Sequence, residues 1–129
     1  MILVDTSVIA GWIDADHPHH RECEKALLHW ANQEELAISA LTYAELAAAG
    51  RTQEALDEIL GGFTRIAFDF DAAFRAGQAF GRWNPGKKKK PVLPDFLIRG
   101  QASVLSLRHL TNDRHQLQAF PEVDFLFPD

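Results

Sequence analysis

The chain has 129 residues, one cysteine, 47% hydrophobic and 24% charged side chains, and a formal net charge of −5. A single domain, residues 1–129, is expected, and the composition excludes an intramolecular disulfide, a cysteine-based zinc site and a disordered chain. No window approaches the roughly 18 apolar residues of a membrane span or has a signal-peptide layout, so a cytoplasmic protein without membrane contact is expected.

Ile2-Leu3-Val4 is an apolar run that stops on Asp5-Thr6-Ser7. It fits a strand covered on both faces, of the kind found in parallel sheets flanked by helices. Val8 to Ile13 then reads as a helix that Asp5 or a neighbouring hydroxyl could cap. In open parallel sheets the carboxyl ends of the strands are where ligands sit, which gives Asp5 a second reading. His17, His19 and His20 fall in a polar turn and read as solvated rather than as metal ligands. Cys23, Ala26, Leu27 and Trp30 recur at helical spacing and form one apolar face, with Cys23 as a small packing residue.

Leu36 to Ser39 fits a second buried strand, and Leu41 to Gly50 a helix in which Thr42 and Glu45 have capping-box spacing. Thr52 to Leu60 predicts another helix, closed by Gly61-Gly62. Thr64 to Phe68 is a third strand. Asp69 and Asp71 open a helix with a stripe of Phe70, Ala73, Phe74, Gly77 and Phe80. The one shift in composition runs from Trp83 to Pro94 and holds Lys87, Lys88, Lys89 and Lys90. It reads as a loop.

Asp95 follows Pro94 and begins a helix, Phe96 to Leu105, apolar nearly all round and therefore buried. Arg108 to Thr111 predicts a fourth strand. Asn112-Asp113 is expected to start one or two helical turns, with Asp113 and Gln116 at capping-box spacing. Val123 to Phe127 can supply a fifth strand. The alternation predicts a three-layer α/β domain around a parallel sheet of four or five strands.

Asp5, Glu45, Asp95 and Asp113 each stand where a strand or loop hands over to a helix. Each could be a cap. In an alternating fold, however, three of them fall at the carboxyl edge of one sheet. Carboxylates gathered there repel one another unless cations compensate them, and hard divalent ions such as Mg2+ or Mn2+ take oxygen ligands. Such a centre stabilises charge on a transferring phosphoryl group. Metal-assisted phosphodiester hydrolysis is therefore expected. Setting the four carboxylates aside leaves a formal charge of −1 for the rest of the chain, so the acidity of the whole does not exclude a nucleic-acid substrate.

The same residues carry a family resemblance. Leu3-Val4-Asp5-Thr6-Ser7, Thr42-Tyr43-Ala44-Glu45-Leu46, Pro94-Asp95-Phe96-Leu97-Ile98, and Thr111-Asn112-Asp113 with Phe120 downstream resemble, in order, the four acidic motifs of PIN-domain nucleases, most closely the small VapC-type toxins. The resemblance covers essentially the whole chain. It implies an Mg2+- or Mn2+-dependent endoribonuclease, a cognate small antitoxin, and commonly a homodimer. It also implies that Asp5 and Asp95 are the primary metal ligands, that Glu45 and Asp113 complete the site and orient the attacking water, and that Ser7, Thr111 and Asn112 support it by hydrogen bonding. Two departures stand out. Arg99 and Gln101 replace small residues after the third acid, and Arg99 could reach an RNA phosphate or pair with an acid. The run Lys87 to Lys90 is either a solvated loop or an RNA contact.

Three rival readings follow from these residues: an RNA-binding scaffold with a dead site, an RNA-processing nuclease without an antitoxin, and a phosphoacceptor signalling domain. The last would normally show adjacent acids after the first strand and a lysine after the last, and this chain has neither.

Overall fold

The computed structural model describes residues 1–83 and 92–129. Five strands, β1 (Ile2–Val4), β2 (Leu36–Ser39), β3 (Thr64–Ile66), β4 (Arg108–Leu110) and β5 (Phe125–Leu126), form one sheet in the order β3-β2-β1-β4-β5. Every pairing is parallel, and Leu3 lies opposite both Ala37 and His109. The chain runs outward from β1 to β2 and β3, then crosses to β4 and β5. The switch in direction therefore lies between β1 and β4, where a parallel sheet opens a crevice at its carboxyl edge.

Side chains alternate across a strand, and here both faces are covered. Ile2, Val4, Leu36, Ile38 and Leu110 pack under α1 (Thr6–Ile13), α2 (His20–Ala31), α3 (Ala40–Ala48) and α4 (Gln53–Ile59). Leu3 and Ala37 face the opposite layer, α5 (Phe70–Arg82) and α6 (Pro94–Val104), with Phe96, Phe120 and Val123. This is the three-layer α/β sandwich that the alternation predicts, with five strands. Close approach of α1 and α2 depends on Gly11, since a Cβ there would lie 2.6 Å from Cys23 Sγ. Cys23 is buried, as expected for a packing residue.

The α5 stripe is corrected. Its buried side is Ala72, Ala76 and Ala79, because Gly100 of α6 approaches so closely that a Cβ on it would stand 2.8 Å from the Ala72 carbonyl, Ala76 N and Ala76 Cβ. Small residues win the interface because they allow the backbones to meet. Phe80 still packs inward, edge-on to Phe96 at 5.5 Å between centroids, whereas Phe70 is 93% and Phe74 72% exposed.

Two capping boxes are also corrected. Helix α3 begins at Ala40 with Ser39 as its cap, Ser39 Oγ accepting from Leu41 N at 3.1 Å. Glu45 is thereby placed in mid-helix. No α-helix starts at Asp113: the chain turns through Thr111 to Gln116 and enters a short 3₁₀ turn, Leu117–Ala119, only after Gln116 takes φ +55°. That left-handed backbone is rare for a residue with a Cβ. Thr52 and Asp69 do cap α4 and α5 through their side chains.

Candidate functional site

A cleft of about 530 Å³ opens beyond the carboxyl ends of β1 and β4, and Asp5, Glu45, Asp95 and Asp113 all line it. They come from four places: the end of β1, the outer face of α3, the first turn of α6 and the loop after β4. The sheet order puts Asp5 beside the β4 exit directly, since Asp5 N donates to the Leu110 carbonyl at 2.8 Å. Sequence separation is large, but the two strands are neighbours.

Asp5 is both a cap and a cleft residue. Its Oδ2 accepts from Ser7 Oγ at 2.6 Å, Thr111 Oγ1 at 3.0 Å and, more weakly, Ser7 N at 3.4 Å. Three donors on one oxygen fix the carboxylate and leave Oδ1 without a hydrogen-bond donor among the described residues. Asn112 secures the frame from outside: its N donates to Ser7 Oγ at 3.1 Å, and its side-chain amide donates to the Ser7 carbonyl at 3.4 Å and to Cys23 Sγ at 3.2 Å. Ser7, Thr111 and Asn112 thus surround Asp5.

Glu45 is held through Thr6, whose hydroxyl donates to Glu45 Oε1 at 2.8 Å. Thr6 has one proton to give, so the 3.0 Å contact with the buried Thr42 hydroxyl leaves Thr42 as the donor there. Thr6 was not picked out by sequence reasoning. Its signals in the sequence are its place directly after Asp5 and its membership of the Leu3-Val4-Asp5-Thr6-Ser7 motif.

Asp95 occupies the second position of α6, after Pro94. Its Oδ2 accepts from Val92 N at 3.3 Å, and its side chain is exposed at the cleft rim. Anionic groups are favoured there by the free N–H groups of the first helical turn. Asp113 has partners at both of its carboxylate oxygens. Oδ1 accepts from His115 N at 2.9 Å and His115 Nδ1 at 2.8 Å, and Oδ2 lies 3.4 Å from Arg99 Nη2. Partial burial raises the Asp113 carboxyl's pKa, but the His115 contacts and Arg99 outweigh it, and the group sits below the usual aspartate value.

Of the two readings of Arg99, the structure shows pairing with an acid. Only 3% exposed, it donates from Nη1 to the His115 carbonyl at 2.5 Å and from Nη2 to the Asp113 carbonyl at 3.0 Å. Burial lowers its pKa, opposed by the charges of Asp113, Asp5 and Asp95. Gln101, the other departure, is buried with its amide donating to the Ala67 carbonyl at 3.0 Å. It braces α6 against the end of β3. Lys87, Lys88, Lys89 and Lys90 lie outside the described residues.

His109 also escaped sequence reasoning. It is fully buried in β4, with Nδ1 2.9 Å from the Leu3 carbonyl, and burial lowers its pKa, so the ring is held neutral. The neutral ring must then donate from Nδ1.

The cleft presents only oxygen donors, the set that suits Mg2+ or Mn2+ rather than a soft metal. As placed, no three His, Cys, Asp or Glu side chains among the described residues enclose one ion. The fit therefore rests on donor chemistry and on the acids sharing a cleft. Asp95 and Glu45 are exposed to the cleft opening.

Solved structures share this fold over the full chain. A toxin–antitoxin complex from Klebsiella pneumoniae superposes with a TM-score of 0.76 at 23% identity, covering 100% of this chain and 98% of that one. FitAcB from Neisseria gonorrhoeae gives 0.74 at 24% identity, covering 99% and 98%. VapC20 from Mycobacterium tuberculosis, described as a sarcin–ricin loop cleaving toxin, gives 0.65 at 17% identity, covering 96% and 99%. A search of curated protein sequences returned no significant match. The sequence pattern of the PIN domain matches residues 2–126, and with the acids, the sheet order and the cleft in agreement, this chain belongs to the PIN-domain family.

Proposed function

We propose that the chain is an Mg2+- or Mn2+-dependent endoribonuclease, the toxin of a toxin–antitoxin pair. The observation that carries this reading is the convergence of Asp5, Glu45, Asp95 and Asp113 on one cleft at the switch point of the sheet. Asp5, Asp95 and Glu45 would hold the metal through oxygens that accept no hydrogen bond from a described residue. A divalent ion there supplies charge stabilisation to the phosphate oxygens as the reaction proceeds.

The chain's own residues do the positioning. Hydrolysis forms a bond from a water oxygen to phosphorus, breaks a bond from phosphorus to a ribose oxygen, and needs an acceptor for the water proton. Glu45 suits that role: Thr6 fixes Oε1, and Oε2 has two lone pairs, one for the metal and one to orient the water. Asp5, pinned by Ser7 and Thr111, is rigid enough to set the geometry without reorganising. RNA is the proposed substrate through the family resemblance and through the solved relative described as cleaving the sarcin–ricin loop.

Several of the solved relatives are described as complexes, among them a toxin–antitoxin complex from Klebsiella pneumoniae and VapBC2 from Rickettsia felis bound to a DNA fragment from their promoter. For this chain we propose a small antitoxin whose apolar side chains enter the groove lined by Trp12, Leu27, Leu28, Ile59 and Phe63, rimmed by Glu24, Glu34 and Glu35. A basic side chain from the same partner would compensate the acids of the cleft. Leu46 of α3 is buried in the core and offers no surface to such a partner. Trp30 is half-buried beneath the Arg108 guanidinium, 4.7 Å from the ring centroid.

The deciding experiment is incubation of RNA with and without Mg2+ or Mn2+, for wild type and Asp5→Asn. Metal-dependent cleavage by wild type alone is expected. Cleavage that persists in Asp5→Asn, or that ignores metal, overturns the assignment, and RNA binding without cleavage selects the scaffold reading. Growth arrest on expression alone, relieved by the product of an adjacent small reading frame, tests the toxin role. A harmless active enzyme would select the unpaired RNA-processing nuclease.

A further inference from the structure

Arg99 stands four residues after Asp95 and so on the same face of α6, one turn deeper. A buried guanidinium needs both hydrogen-bond acceptors and negative charge near it, and removing either is costly. Arg99 has both. The Asp113 and His115 carbonyls accept from it, Asp113 Oδ2 lies 3.4 Å away, and its guanidinium carbon sits 5.4 Å from the centre of the Phe125 ring. The two carbonyls belong to the loop that leads into the strained Gln116, so Arg99 also fixes where Asp113 sits.

Asp113 Oδ1 is occupied by two His115 donors, and Oδ2, which accepts no hydrogen bond from a described residue, faces the Arg99 guanidinium at 3.4 Å, so its charge is already compensated. The charge balance points the same way. Four carboxylates and one guanidinium give the cleft a formal charge of −3. One divalent ion brings that to −1, whereas a second would invert it to +1. Without the guanidinium, two ions would leave the cleft neutral.

We infer that Arg99 is a built-in counter-cation that withdraws Asp113 from metal binding, so the cleft takes one divalent ion on Asp5, Asp95 and Glu45, with Arg99 and Asp113 as positioning residues. This rests on the metal-dependent reading above, but its test needs neither RNA nor turnover. The guanidinium does the work that a second cation would otherwise do. It also ties the fourth acid to the protein frame rather than to the metal.

The test is titration of the full-length protein with Mn2+, with free Mn2+ followed by electron paramagnetic resonance. Wild type should bind one ion. Arg99→Gln keeps hydrogen-bond donors but removes the charge, and should bind two, whereas Arg99→Lys keeps the charge and should remain at one. Asp113→Asn should still bind one ion, and adding Asp113→Asn to Arg99→Gln should return the count from two to one. Two ions on wild type, or loss of all binding in Asp113→Asn, overturns the inference. If Arg99→Gln fails to fold, the wild-type and Asp113→Asn counts decide it. Absence of Mn2+ binding by folded wild type overturns the metal-dependent reading itself, and this inference with it. One bound ion without RNA cleavage would leave the inference standing while refuting the nuclease.

Discussion

Gly100→Ala and Gly77→Ala make the same chemical change in adjacent helices and should act in opposite directions. At Gly77, on the exposed side of α5, a new Cβ meets nothing within 4 Å. Alanine should therefore gain its helix preference of about 1 kcal/mol. At Gly100 the Cβ would lie 2.8 Å from three α5 atoms, two of them backbone. No side-chain rotation relieves that contact, so the helices must separate. Overpacking of this kind costs about 1–3 kcal/mol, and after the helix preference is subtracted a net loss of about 1 kcal/mol remains. For a chain of this length, 1 kcal/mol corresponds to a Tm change of about 4 °C. The two variants should thus differ by about 8 °C in thermal melts at one pH and without metal. Because α6 carries Asp95 and Arg99, Gly100→Ala should also lower RNA cleavage, while Gly77→Ala leaves it unchanged. A Gly100→Ala protein as stable as Gly77→Ala would refute the close packing assigned to α5 and α6.

Other measurements bear on the remaining surfaces. Replacing Lys87, Lys88, Lys89 and Lys90 with Ala should raise KM for RNA and flatten its salt dependence with little change in kcat, if the run contacts phosphate; an unchanged salt slope would make it a solvated loop. Glu122 accepts from Arg75 Nε at 2.9 Å and also from Ser103 Oγ. Partial burial raises its pKa, but Ser103 and Arg75 outweigh this and hold the carboxyl below the usual glutamate value. Its contribution to stability is thus fully present above the unfolded value of about 4.3 and is lost as pH falls through the lower folded value. The Tm gap between wild type and Glu122→Gln should narrow across that acid window, and a gap independent of pH would contradict it. Phe70 and Phe74 on α5 are the two most exposed large hydrophobic side chains among the described residues, and a homodimer of the kind the family resemblance implies is expected to bury them. Light scattering on Phe70→Ser/Phe74→Ser should show a smaller species than wild type, and an unchanged mass would place self-association elsewhere.

The sequence by itself determined the layer architecture, because strand and helix periods are local and each apolar face must be buried. Ile2-Leu3-Val4 and Leu36 to Ser39 are apolar on both faces, which already requires helices above and below the sheet. Asp5 and Asp113, which directly follow predicted strands, pointed to the carboxyl edge for the same local reason. What only the tertiary structure decided is set by contacts between distant segments. Ser39 rather than Thr42 caps α3, which frees Glu45 for Thr6 and the cleft. Ala72 and Ala76 face Gly100, because backbone approach favours small residues over the phenylalanines of the stripe. Arg99 looks, in sequence, like a cation free to meet phosphate. In the fold, carbonyls of a loop that begins twelve residues later surround it, and a buried guanidinium must use them. Periodicity carries no record of such pairings, since they depend on which segments the sheet order makes neighbours.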